Sequence, residues 1–310
     1  MALRPVRFRL PAGCGNDRGS LSGRAANTVT VPANRADRLR PWATLLLAML
    51  QPLAAALARV FGIGTPIAAM AAASGTPAIP AGYAFLIWTP IFALALAYAL
   101  WQALPARRED PLLRRLGWWI AAAFAGNVAW MLAAQLSGRN GWHLFVLILF
   151  ALVPALVAFL QERRRRAEAP TGPGRRWVLQ PLLGLQAGWL TAAAFANLSG
   201  ASRAEGVAWF GLGETAAAVL LLLAAGLAAA AILWLSRGSP WFAGAAAWAF
   251  AAILLANMGE RGWNLFVAAA AAVALVLLGG VLRAAWRRED RQRAPPSVAV
   301  PGADDAGPAG

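Results

Sequence analysis

Three tryptophans and a few amides are the residues of this chain best placed to do chemistry. Trp88, Trp130 and Trp189 fall well inside long apolar runs. A buried indole there offers a flat face for stacking and an N–H that needs an acceptor. Trp88 has aromatic company, because Phe85, Trp88 and Phe92 stand at i, i+3 and i+7, which is one face of a helix. Asn127 precedes Trp130 by three residues, and Gln186, Trp189, Ala193 and Asn197 follow at i, i+3, i+7 and i+11. A buried amide costs free energy unless it is hydrogen-bonded. It can glue two helices together or line a ligand cavity, and for Asn127 alone the glue reading is the stronger. Indoles, amides and a small alanine together favour an aromatic pocket for a flat apolar ligand.

Bond-making chemistry finds little support. Cys14 is the only cysteine and His143 the only histidine. That argues against a Cys/His zinc site, a His-ligated di-metal centre and most catalytic triads. No carboxylate pair lies inside the apolar runs, and there is no P-loop or dinucleotide fingerprint. The expectation is a binding protein with no metal and no resident cofactor, and not an enzyme.

The elements that carry these residues are membrane spans. The chain is 60% hydrophobic, only 13% charged, and has a mean hydropathy of +0.56, which marks a multi-span membrane protein. The fold class is all-α, a polytopic membrane helix bundle. Apolar runs near the ~20 residues a spanning helix needs lie at 42–63, 82–104, 116–136, 142–161, 177–198, 213–235, 241–257 and 263–284. The net charge of +15 suggests nucleic acid only until its distribution is considered. Arginines crowd the first tail, loops 105–115 and 162–176 and the last tail, whereas the intervening loops carry only Arg139, Arg203 and Arg261. With eight spans every Arg-rich segment falls on one side. The positive-inside rule then makes both termini cytoplasmic, in a multi-pass protein of the cell (inner) membrane. The implied partners are the lipid bilayer and a small hydrophobic ligand, with no nucleic acid. A homodimer is the one protein assembly left open.

Direction sets depth. Span two runs inward from the outer face and spans three and five run outward. Trp88, Trp130 and Trp189 therefore lie roughly 8, 9 and 13 Å below the same face, at ~1.5 Å per residue. Trp248 also falls within a span. Most other tryptophans, Trp42, Trp142 and Trp286 among them, sit at span ends as an interfacial belt. Loop 64–81 is small-residue-rich and uncharged, either a cover for the outer mouth or a plain connector. Glu214 starts span six, where a helix dipole favours an acid, and His143 belongs at the outer interface. Gly138 to Val146 resembles Gly259 to Val267 at an offset of 121 residues. Spans six to eight are thus a candidate degenerate copy of spans two to four.

The residues from Pro80 to Phe92 resemble the second helix of the tryptophan-rich sensory protein family (TspO/MBR, which includes the translocator protein). Asn127-Val128-Ala129-Trp130 resembles the Asn-x-x-Trp of its third helix, and Trp189 with Asn197 resembles its fifth. The likeness covers residues 42–200 and implies a five-helix core. The full chain is similar to longer TspO-related forms with extra C-terminal spans. The family likeness implies porphyrin, sterol-like or drug-like ligands, and maps ligand contacts onto Trp88, Asn127, Trp189 and Ala193. A tetrapyrrole is the implied ligand. Leu185 and Gln186 stand where the family has Pro and Tyr, and the sterol-associated Tyr and basic residue are absent, which argues against sterol. The expected organisation is an Arg-rich disordered tail at 1–41, the five-helix core at 42–200, three further spans at 201–288 and a disordered tail at 289–310. The function expected is binding or sensing of a hydrophobic ligand. The alternatives are transport of a small hydrophobic compound and light-dependent porphyrin degradation.

Overall fold

A computed structural model of the chain describes residues 35–165, 172–260 and 262–293. Eight of its helical segments are long and apolar enough to cross a membrane. In order, they are built on α1 (Arg35–Phe61), α3 (Trp88–Ala103), α4 (Pro111–Ser137), α5 (Trp142–Arg164), α6 (Gln180–Ala204), α7 (Glu214–Leu235), α8 (Pro240–Leu255) and α9 (Leu265–Arg293). A short α2 (Ile67–Ala73) lies in the loop after α1. Among the described residues there is no strand.

Local chemistry explains the ends. Asp110 caps α4, its Oδ1 accepting from Leu112 N at 2.9 Å, and Pro111 occupies the first helical position. That position has no helical partner for its N–H, so proline costs nothing there. Pro240 opens α8 in the same way. Pro90 falls in the first turn of α3, behind a 3₁₀ turn at Gly82–Ile87. Its missing N–H thus interrupts no long α-helical ladder. The change from 3₁₀ to α, not a mid-helix kink, is what the proline accompanies.

Both ends of the described chain exceed the expected spans. α1 begins at Arg35, inside the stretch expected to be a disordered tail, and α9 runs on to Arg293. Arg40 is fully buried. Its Nη2 donates to the carbonyl of Arg108, and Asp37 bridges to Arg114 at 3.1 Å. These bonds hold the first turns of α1 against α4. Beyond the apolar part of α9, Trp286 Nε1 donates to Gly238 O at 2.8 Å and Arg288 lies over the Trp234 ring. The remainder of both expected tails lies outside the described residues.

The helices close into two rings. α1, α3, α6, α5 and α4 each pack on the next, and α4 returns to α1. α6, α8, α9 and α7 form a second ring. α6 belongs to both and is the most buried span. Glycine permits this. A Cβ on Gly184 would stand 2.5 Å from Trp241 Cβ, and one on Gly188 would stand 2.4 Å from Phe242 O. This small-xxx-small stripe lets two backbones approach closely where no water drives association. Within the suggested repeat one pairing recurs, since α8 packs on α9 as α4 packs on α5, and one does not, since α7 packs extensively on α9 whereas α3 packs on α1 and α6.

The end of the bundle carrying both described chain ends is polar and tied. Glu162 Oε1 accepts from Arg175 Nε at 2.9 Å and from Gln180 Nε2 at 3.0 Å, and Arg163 Nε donates to Ser236 O at 2.7 Å. At the opposite end the loop after α1 folds over the helices rather than hanging free. Thr65 N donates to Gln135 O, Asn257 Nδ2 to Pro77 O and Ala81 N to Ala252 O.

Two outcomes are expected. Gly188→Val should destabilise the detergent-solubilised protein by about 1–3 kcal/mol through overpacking, read as a lower thermal midpoint. Gly244→Ala, with nothing near its Cβ, should leave it unchanged. In a Cys14→Ser background, cysteine at position 139 should react with an impermeant maleimide on intact cells, and cysteine at position 108 only after permeabilisation. The reverse pattern would invert the orientation.

Candidate functional site

A cavity of about 40 Å³ lies beneath the loop, in the half of the bundle away from the chain ends. Trp88, Trp130 and Trp189 all line it, together with Phe85, Ala193 and Asn197. The three indoles singled out by depth therefore meet in one place. Trp189 is the hub: Phe85 lies edge-on to it at 5.9 Å and Trp88 edge-on at 6.3 Å. Trp88 also stacks on Phe92 at 5.5 Å, with planes 21° apart. Edge-on and offset contacts suit the aromatic quadrupole, at ~0.5–1.5 kcal/mol each.

The amides divide between glue and cavity wall. Trp130 Nε1 donates to Asn197 Oδ1 at 3.0 Å, joining α4 to α6, and Asn197 Nδ2 returns to Ala193 O at 2.8 Å. Asn127 is elsewhere. Its Nδ2 donates to Gln51 Oε1 on α1 at 2.8 Å, and it does not line the cavity. Phe92 and Gln186 also stand outside that wall. Trp248, placed with the inner tryptophans by its depth, turns outward. It is 40% exposed, and its Nε1 donates to Ala84 O at 2.9 Å. That bond clamps α8 to the turn that carries Phe85.

Other wall residues had no signal in the sequence. Ala249 and Ile253 come from α8, so the cavity is not confined to residues 42–200. α8 is apolar nearly all round, and periodicity cannot say which of its faces is lined up. Met70, Ala71, Ile79 and Pro80 form the roof, which makes loop 64–81 a cover and not a bare connector. Asn140 also lines the cavity, and its side chain lies against Gly200 of α6. A buried amide in the tight Gly138–Gly141 turn was the available clue. Two polar atoms of the wall are buried with no partner among the described residues: Trp88 Nε1, a donor, and Asn140 Oδ1, an acceptor. Unpaired buried groups of this kind are uncommon. Unpaired buried atoms occur away from the cavity as well, Tyr98 Oη and both Gln102 side-chain atoms among them.

Glu214 and His143 lie off the site. Glu214 starts α7, as its helix-dipole reading requires, and forms an ion pair with Arg203. His143 is exposed in the first turn of α5.

The model of one family, described as TSPO-like protein, matches residues 41–283. The chain belongs to the TSPO-like family. The match spans all eight crossing helices, not only the five from which the resemblance is read. In this TSPO-like chain, α8 as well as the five-helix ring therefore falls within the family unit. No curated protein and no solved structure matches the chain.

Asn197→Leu should leave Trp130 Nε1 unsatisfied and cost on the order of 1 kcal/mol or more. Trp130→Phe in the same chain should recover part of that loss. A double-mutant cycle on unfolding in detergent measures the coupling, and strict additivity would show that the bond contributes nothing.

Proposed function

We propose that this protein binds, and through binding senses, a hydrophobic ligand with a flat aromatic body. The observation that carries this reading is the convergence of Trp88, Trp130 and Trp189 on one cavity whose wall also holds an unpartnered donor and acceptor. Its role is recognition rather than turnover. The polar groups facing the cavity are indoles and amides, which stack and orient. Family membership and the eight apolar helices support a multi-pass protein of a lipid bilayer. Arginine distribution supports a cell (inner) membrane protein with cytoplasmic termini.

Volume bears on the ligand. About 40 Å³ holds only about three water-sized spheres, at ~10–15 Å³ each. A tetrapyrrole, the ligand the family likeness implies, enters only if the roof or a wall moves. A small aromatic compound needs a lesser displacement of the same elements. A second reading, transport, draws on the suggested duplication, in which the α4–α5 pairing recurs as α8–α9 while that of α7 with α9 has no counterpart.

Trp88→Ala and Trp189→Ala should each weaken binding of a porphyrin by about 1–3 kcal/mol, roughly one to two decades. Trp286→Ala, at the far end of the bundle, should not. Titration of purified, folded proteins by absorption and tryptophan quenching tests this. Unchanged affinity in folded Trp88 and Trp189 variants would leave these indoles as packing residues.

A further inference from the structure

Outside the aromatic cavity lies a second space that shares part of its wall. It is a groove of about 410 Å³ between α1, α2 and the start of α3. Ala55 and Arg59 of α1 form one bank, and Leu86, Thr89 and Phe92 form the other. Leu86 is 65% exposed, so the groove opens on the flank of the bundle. Phe85 and Trp88 line both spaces and are the partition between them.

Three features describe what the groove would take. Its inner surface is aromatic, with Phe85, Trp88 and Phe92 offering ring faces or edges. Its rim carries Arg59, in the last turn of α1, exposed and with no ion pair among the described residues. An arginine near a span end keeps its head at the polar edge of the bilayer while its stem lies along apolar surface. Within the partition, the Trp88 N–H has no acceptor. The partition is made of side chains: Phe85 and Trp88 meet Trp189 only by ring edges.

We infer that the groove is a lateral entry site for an amphiphile with a flat aromatic body and a carboxylate. The carboxylate pairs with Arg59 at the membrane surface, and the ring system lies against Phe92. The ring then passes the Phe85–Trp88 partition into the cavity, in reach of the Trp88 N–H. This rests on the binding role given above, and the test separates the two.

The probes are 1-pyrenebutyrate and its uncharged analogue 1-pyrenebutanol, with the full chain in phosphatidylcholine nanodiscs, which carry no anionic lipid to compete. Energy transfer from tryptophan reports equilibrium binding, and stopped flow reports rates. Arg59→Gln should weaken pyrenebutyrate by about tenfold, the loss of one charge-assisted contact, and leave pyrenebutanol unchanged. Phe85→Ala should speed association and dissociation of both probes while changing affinity little. Phe85→Leu provides the same comparison if the alanine variant does not fold. Trp189→Ala should weaken both probes alike. If Trp189→Ala weakens binding while the Arg59 and Phe85 variants match the parent in affinity and rate, the cavity stands and lateral entry falls. Equal loss of both probes in Arg59→Gln also overturns the carboxylate pairing. Absence of binding by either probe to folded protein overturns entry site and cavity together.

Discussion

Close approach between α6 and α8 is the contact on which the rest of the bundle depends. In a bilayer, apolar side chains gain little by leaving lipid for protein, so packing depth and hydrogen bonds decide association. Gly184 and Gly188 put α6 against the backbone of α8 near Trp241 and Phe242. With that contact made, α6 can face the five-helix ring on one side and the second ring on the other. Its cavity side presents Trp189, Ala193 and Asn197. A side chain at Gly188 would separate the rings and withdraw Ala249 and Ile253 from the cavity wall.

Both ends of the bundle combine bonded and unbonded polar groups. At the end with both described chain ends, Glu162, Arg175, Gln180 and Arg163 are bonded across linkers and helices. That is a tied base. Unpaired buried atoms occur towards both ends: Tyr98 Oη, both Gln102 side-chain atoms and Glu162 Oε2 on the base side, and Trp88 Nε1 and Asn140 Oδ1 towards the loop. Leaving buried groups unsatisfied costs roughly 1–3 kcal/mol each. Such sites are where local rules of stability and the needs of recognition conflict.

Much of this was legible because a membrane imposes simple rules. Length and hydropathy find spans, and Arg-rich loops find their parity. Span direction then converts position into depth, which is why Trp88, Trp130 and Trp189 could be brought together from sequence. Depth does not give azimuth. Trp248 has a depth like the others but faces outward, and Asn127 turns to Gln51 instead of the cavity. Nor does periodicity help in α8, where nearly every residue is apolar. Its share of the wall follows from the glycine contact with α6, which pairs residues far apart in sequence. The buried Arg40 was hidden for a related reason: charge density marks a tail, but a single guanidinium bonded to the turn before α4 and packed against Gly117 belongs to the fold.

The same geometry distinguishes the ways into the cavity. Lifting the roof means breaking what α8 holds. Ala81 N donates to Ala252 O, Asn257 Nδ2 to Pro77 O and Trp248 Nε1 to Ala84 O. At ~0.6–1 kcal/mol net for each bond, that motion costs about 2–3 kcal/mol before any apolar contact of Met70 is lost. Turning both rings of the partition gives up the edge contacts of Phe85 and Trp88 with Trp189 and the stack of Trp88 on Phe92, at ~0.5–1.5 kcal/mol each, a comparable cost, but breaks none of these hydrogen bonds. The two routes therefore differ in kind: the wall towards α1 loses ring contacts, whereas the roof loses hydrogen bonds. α8 sets that difference by fixing the roof, and it adds Ala249 and Ile253 to the cavity wall.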